Sequence, residues 1–265
     1  MNTSSVERLV EVMRALRDPQ GGCPWDLAQD FRSLAPYTLE EAAEVVDALE
    51  HGDMAALRGE LGDLLFQVVF LSQLAAERGA FDFGDVANGI ADKLVARHPH
   101  VFGSAGPEQA LDAAWDARKA EERRARGVEG VLADIPRALP ALMRAAKLGR
   151  RAARVGFDWP DPDGASRKVE EEIREVRAAG QQANPAALEE ELGDLLFATC
   201  SWARLLKVEP ESALRRACAK FERRFGFMEG LAAARGIPLE SLDAAHWDAL
   251  WNEAKAFSGD SSPLP

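Results

Sequence analysis

The chain has one tyrosine, few runs of β-branched residues and no apolar stretch near the length of a membrane span. The first two scarcities leave β-strands without support, and the third gives no spanning helix. Residues 1–14 lack a basic segment followed by an apolar one, so no secretory signal is expected. The three cysteines, Cys23, Cys200 and Cys218, form no CxxC pair and leave an odd one over, which fits reduced thiols in the cytoplasm. Basic residues are outnumbered, 32 Lys and Arg against 44 Asp and Glu, for a net charge of -12. That balance argues against a protein that coats nucleic acid, because such affinity comes from basic side chains neutralising phosphates. Only four histidines occur, and they suggest no Ser/His/Asp or Cys/His nucleophilic set.

What the chain does have is an acidic cassette written twice. Glu41 and Glu44 are followed by Glu60 and Asp63, and Glu172 and Glu175 by Glu191 and Asp194, with the two copies offset by 131 residues. Around them, Glu60-Leu61-Gly62-Asp63-Leu64-Leu65-Phe66 recurs word for word as Glu191-Leu192-Gly193-Asp194-Leu195-Leu196-Phe197. The pattern is helical nearly throughout, so the expected fold is all-α, two tandem repeats of antiparallel helical bundle. The expected division is 1–130 and 131–257, with 258–265 a loose tail and the polar stretch 121–130 a linker. Capping boxes at Ser4–Glu7 and at Thr38–Glu41 mark helix starts. Asp53 is placed to N-cap a helix through Arg78, closed by Gly79. Gly156 to Pro160 reads as an aromatic turn, Ala179-Gly180 as the end of the helix carrying Glu172, and Asn184-Pro185 as the start of the next. Leu57, Leu61, Leu64, Leu65, Val68, Leu71 and Leu74 recur at three and four residues, the stripe expected of a core helix.

Residues three apart share a helix face, so each ExxE and ExxD pair points one way. A short connection makes the two helices of each copy antiparallel neighbours, and the four carboxylates can then converge. Each pair of carboxylates about 4 Å apart costs about 4 kcal/mol at an effective dielectric of 20, so such a cluster needs cations or protons. No His lies three residues after a cassette Glu, unlike helix-bundle di-iron sites. All-oxygen ligation suits Mg²⁺ or Mn²⁺. The competing reading is a solvated acidic face copied by duplication, and Glu41 can also serve as capping-box partner of Thr38. That second role fails for Glu172, where the matching position is Val169, and an idle face has no reason to keep both spacing and residue type at four positions.

Downstream of each cassette, Lys93 with Arg97 and Lys220 with Arg224 share a helix face and can grip phosphates. Trp115 precedes Lys119, and Trp251 precedes Lys255, by four residues. Each Trp can stack on a base or fill the core. His98-Pro99-His100 reads as a structural turn.

The set Glu171-Glu172-x-x-Glu175 and Glu191-x-x-Asp194, with GCPWD (22–26), RHPHVF (97–102), LEEELGDLLFA (188–198) and KFERRF (220–225), resembles the MazG family. These are the two-repeat nucleoside triphosphate pyrophosphohydrolases of the all-α NTP pyrophosphatase superfamily, and the likeness covers nearly all of residues 6–257. The resemblance implies Mg²⁺-dependent cleavage of NTPs and dNTPs between the α and β phosphates, homodimers, and catalysis mainly in the C-terminal half. It also implies metal ligation by Glu172, Glu175, Glu191 and Asp194. Lys168, Glu171, Glu189, Lys220, Arg224 and Trp251 would line the nucleotide, with Lys255 nearby. Glu171 or Glu172 would accept the proton of the attacking water, and Lys220 and Arg224 would balance charge on the departing pyrophosphate. The first half keeps the four carboxylates Glu41, Glu44, Glu60 and Asp63 but has Tyr37 in place of Lys168 and Arg58-Gly59 in place of Glu189-Glu190. One full site, in the second half, is therefore expected. A non-catalytic nucleotide-binding bundle and a base-selective pyrophosphatase are the alternatives. No membrane or nucleic-acid partner is expected.

Overall fold

A computed structural model describes residues 4–103, 120–125, 127–182 and 184–257, and every regular element among them is a helix. Contacts divide the chain between Glu121 and Glu122 into two compact units. The expected linker thus begins as helix over 120–125. Trp115, Lys119 and the expected tail at 258–265 lie outside the described residues.

The first unit contains α1 (Ser5–Leu16), α2 (Pro24–Ala28), α3 (Phe31–His51), α4 (Met54–Glu77), α5 (Phe83–Arg97) and the single turn α6 (Pro99–Phe102). The α1 capping box forms as expected: the Glu7 N–H donates to Ser4 Oγ at 3.2 Å, and the Ser4 N–H donates to Glu7 Oε2 at 2.7 Å. Helices α3 and α4 make an antiparallel hairpin. Gly52 turns the chain at φ +69°, in the left-handed region a side chain disfavours, and Asp53 Oδ1 then accepts the Ala55 and Ala56 N–H groups.

Two expectations for this hairpin change. Helix α3 starts at Phe31, well before Thr38, because Asp30 caps it, accepting the Arg32 and Ser33 N–H groups at 2.8 Å. Thr38 therefore sits inside the helix, where its hydroxyl donates to the Leu34 carbonyl at 3.0 Å. Pro36 is accommodated near the start of the same helix at the loss of one backbone donor. The capping role for Glu41 is thereby removed.

The leucine stripe of α4 is also corrected. Leu61 and Leu65 are 49% and 39% exposed, and the buried face is Gln67, Val69, Phe70, Ser72, Leu74 and Ala75. The core of the unit is Met13, Leu34, Val69, Phe70 and Leu74, with Leu9, Val10, Phe31, Phe66, Leu71 and Phe83 packed around it. It covers the start of α3 and the later half of α4, leaving the turn end of the hairpin outside. Arg17 braces the same region: it pairs with both carboxylate oxygens of Glu77 and donates to the Asp26 and Gln29 carbonyls. Phe70 is fully buried, so Phe70→Ala is expected to destabilise the first unit by about 3–5 kcal/mol, read as a loss of midpoint in denaturant melts.

The second unit contains α7 (Ala141–Ala153), α8 (Pro162–Gln181), α9 (Pro185–Leu205), α10 (Pro210–Ala234), a 3₁₀ turn at Leu239–Ser241 and α11 (Ala244–Phe257). Helices α8, α9 and α10 each start with proline, whose missing N–H costs nothing in a first turn, and each is capped by the residue before it, Asp161, Asn184 or Glu209. Helix α8 runs to Gln181, past the expected stop at Ala179-Gly180. The aromatic turn before α8 is tied to the end of α9 by a two-pronged Arg204–Asp158 ion pair, which holds the Asp158 carboxyl below its usual range. A core of Met228, Ala232, Leu250 and Ala254 joins α10 to α11.

Candidate active site

Helices α8 and α9 pack along each other as the second hairpin. The short link places the face bearing Glu172 and Glu175 opposite that bearing Glu191, and one carboxylate oxygen from each lies within 4.8 Å of the others. Glu172 is only 4% exposed, and its Oε2 is buried with no hydrogen-bond partner. A buried anionic oxygen left unsatisfied costs several kcal/mol unless a cation or proton meets it. Burial pushes the Glu175 carboxyl up, with Lys168 opposing and Glu172 and Glu191 adding to the rise.

Lys168 lies over this cage. Its Nζ is 2.7 Å from Glu171 Oε1, 2.7 Å from Glu172 Oε1 and 4.0 Å from Glu175 Oε2. The hydrogen bonds to Glu171 and Glu172 drive the ammonium pKa well up, and the Lys168 bond holds the Glu171 carboxyl down. These contacts follow from i,i+3 and i,i+4 spacing on α8 and are present in the sequence, but only as one helical pattern among many.

In the first unit the corresponding cage joins Glu41, Glu60 and Asp63 within 4.8 Å. Burial first, then Asp63, Glu44, Glu40 and Glu60, push the Glu41 carboxyl up; burial, then Glu44 and Asp63, do the same for Glu60. Tyr37, at the place of Lys168, instead meets Trp25 edge-on at 6.0 Å between ring centroids.

The remaining expected residues are arranged differently. Glu44 stands beside Glu60 but outside the first triplet, and Asp194 is exposed, one turn past Glu191 and outside the second. Arg224 on α10 lies over the Trp251 ring of α11, 5.6 Å from its centroid, and Trp251 packs against Phe221 and the α10–α11 core. That placement favours the core reading of Trp251 while leaving it half-buried. Glu189, Lys220 and Lys255 are exposed. In the first unit His98 ends α5, its Nδ1 2.7 Å from the Leu94 carbonyl, and Pro99 opens α6, the structural turn expected of that motif.

The donor set fits a hard divalent cation. It is all oxygen, it carries more negative charge than Lys168 alone offsets, and it includes an orphaned buried oxygen. A family model described as the MazG nucleotide pyrophosphohydrolase domain matches residues 29–102 and 162–226, the two hairpins and the helices after them. The chain is 50% identical over 256 residues to a nucleoside triphosphate pyrophosphohydrolase of Escherichia coli (strain K12), covering 95% of this chain and 97% of that protein. It is 43% identical over 249 residues to the nucleoside triphosphate pyrophosphohydrolase/pyrophosphatase MazG of Thermotoga maritima, covering 94% and 95%. A nucleoside triphosphate pyrophosphohydrolase of Mycobacterium tuberculosis is 37% identical over 156 residues, covering 57% of this chain and 46% of that protein.

Proposed function

The chain belongs to the MazG nucleotide pyrophosphohydrolase family, and on that premise we propose that it hydrolyses nucleoside triphosphates to nucleoside monophosphate and pyrophosphate. The observation that carries the site assignment is Glu172, a buried carboxylate with an unmatched oxygen at the centre of an acidic cage.

Glu172, Glu175, Glu191 and Asp194 would hold Mg²⁺, or Mn²⁺ in its place. When bound, the cation supplies positive charge against the triphosphate oxygens and Lewis acidity at the reacting phosphorus. The chain's own residues do the rest. Glu171, kept ionised, accepts the proton of the attacking water, with Glu172 as the nearby second carboxylate. Lys220 and Arg224 lie four apart on α10 and offset charge on the departing pyrophosphate. Glu189, Trp251 and Lys255 line the nucleotide, and the Trp251 ring beneath Arg224 orients the guanidinium. No covalent nucleophile is required.

The working form is a homodimer. Leu192, Leu196 and Phe197 are exposed on α9, as Leu61 and Leu65 are on α4, and a second copy is the partner that would cover them. The protein acts in the cytoplasm, in keeping with three free thiols, and uses no nucleic-acid partner, in keeping with its negative charge. No helix among the described residues is long and apolar enough to cross a membrane.

The test is product analysis on a panel of canonical and modified NTPs and dNTPs by anion-exchange chromatography. Monophosphate and pyrophosphate in equal amounts are expected. Diphosphate and inorganic phosphate, or no turnover of any nucleotide, would overturn the proposal. Turnover confined to one base would establish a selective pyrophosphatase.

A further inference from the structure

The second cage already contains a cation, and it is part of the chain. Lys168 reaches Glu171 and Glu172 at 2.7 Å and Glu175 at 4.0 Å from a position one turn earlier on the same helix. Glu172 is nearly fully buried, so its negative charge cannot be left to solvent. The first cage has no such lysine, because Tyr37 occupies the position and its ring rests against Trp25. The two cages therefore differ in what faces the carboxylates: an ammonium reaches those of the second, and a tyrosine turned to Trp25 stands at the matching place in the first.

An ammonium within hydrogen-bond reach of Glu171 and Glu172 repels an incoming divalent cation and occupies Oε1 of Glu172, one of the ligand carboxylates, leaving Oε2 without a partner. Resting on the reading that this cage takes a divalent cation, we propose that Lys168 is a tethered placeholder cation, held on the carboxylates until metal arrives and then released to the triphosphate. Displacement is costly when the ammonium has only solvent to move to, and favourable when polyphosphate oxygens are present. Metal and nucleotide therefore strengthen each other's binding in the second repeat, and by linkage they do so equally. The first repeat, lacking the lysine, takes metal without regard to nucleotide. Lys168 is on this account a positioning residue for the metal and a binding residue for the substrate.

The test measures Mn²⁺ binding to the full chain, following free Mn²⁺ by electron paramagnetic resonance, with and without the non-hydrolysable α,β-methylene-ATP. Glu41→Gln/Glu44→Gln is used as background to silence the first cage. Lys168→Met, which keeps the apolar stem, is expected to tighten Mn²⁺ binding without nucleotide by about tenfold and to reduce the enhancement by the analogue by about the same factor, leaving the part that direct contact between metal and phosphate supplies. Unchanged or weaker Mn²⁺ binding by Lys168→Met would overturn the placeholder role. Tyr37→Lys, in a Glu172→Gln/Glu175→Gln background, is the converse and is expected to weaken first-cage binding by a similar factor; no change there also counts against it. If the second cage binds no Mn²⁺ with either residue at 168, the cation assignment itself fails. Pyrophosphate release is measured separately, so loss of the placeholder role and loss of the enzymatic reading give different results.

Discussion

Glu172→Gln is expected to lower kcat for pyrophosphate release from ATP about a thousandfold, equivalent to ~4 kcal/mol of transition-state stabilisation. The glutamine preserves volume, so the α8–α9 packing stays, and what is lost is a buried negative charge at the centre of the cage. Glu41→Gln/Glu44→Gln, two substitutions in the other copy, is expected to change kcat by no more than about threefold. The asymmetry follows from the surroundings. The second repeat adds Lys168 and Glu189 to its carboxylates, whereas the first has Tyr37 turned to Trp25 and Arg58-Gly59 where Glu189-Glu190 stand. Comparable losses from both sets of variants would mean that both cages turn over substrate.

Metal removal should have the other large effect. EDTA is expected to bring hydrolysis to background, and excess Mg²⁺ to restore it, while circular dichroism shows the helices unchanged. The second half of that expectation rests on where the stabilising contacts lie. In the first unit the core runs through Met13, Leu34, Val69, Phe70 and Leu74; in the second, Met228, Ala232, Leu250 and Ala254 join α10 to α11, and proline-led caps start the long helices. None of these contacts involves a cage carboxylate. Losing the cation raises the cost of holding like charges together, which Lys168 partly offsets in the second cage and proton uptake can offset in the first. Activity that survives chelation would exclude a metal from the chemistry, and melting on chelation would make the metal structural.

The carboxylates are readable in the sequence because their chemistry depends on spacing alone: three residues set a shared face, and a short turn sets the antiparallel partner. The caps at Ser4, Asp53 and Asn184 are readable for the same local reason. The start of α3 is not, because Pro36 and the Thr38 pattern together imitate a boundary that Asp30 and Ser33 set earlier. The burial of α4 is not, because a leucine stripe says which residues seek cover and not which neighbour supplies it; Leu61 and Leu65 remain exposed within their unit. The contacts of Lys168 are implicit in its spacing, yet which carboxylates it chooses depends on the depth at which Glu172 is buried.

The position of the first cage beyond its core has an evolutionary consequence. The residues that hold the first unit together and those that line its cage lie on separate stretches of α3 and α4. Mutations at the turn end of the hairpin can therefore accumulate without unfolding the unit. A duplicated gene with that layout can let one copy drift in chemistry while selection keeps it as architecture, so the ancestral pair of equal sites can become one worker and one support.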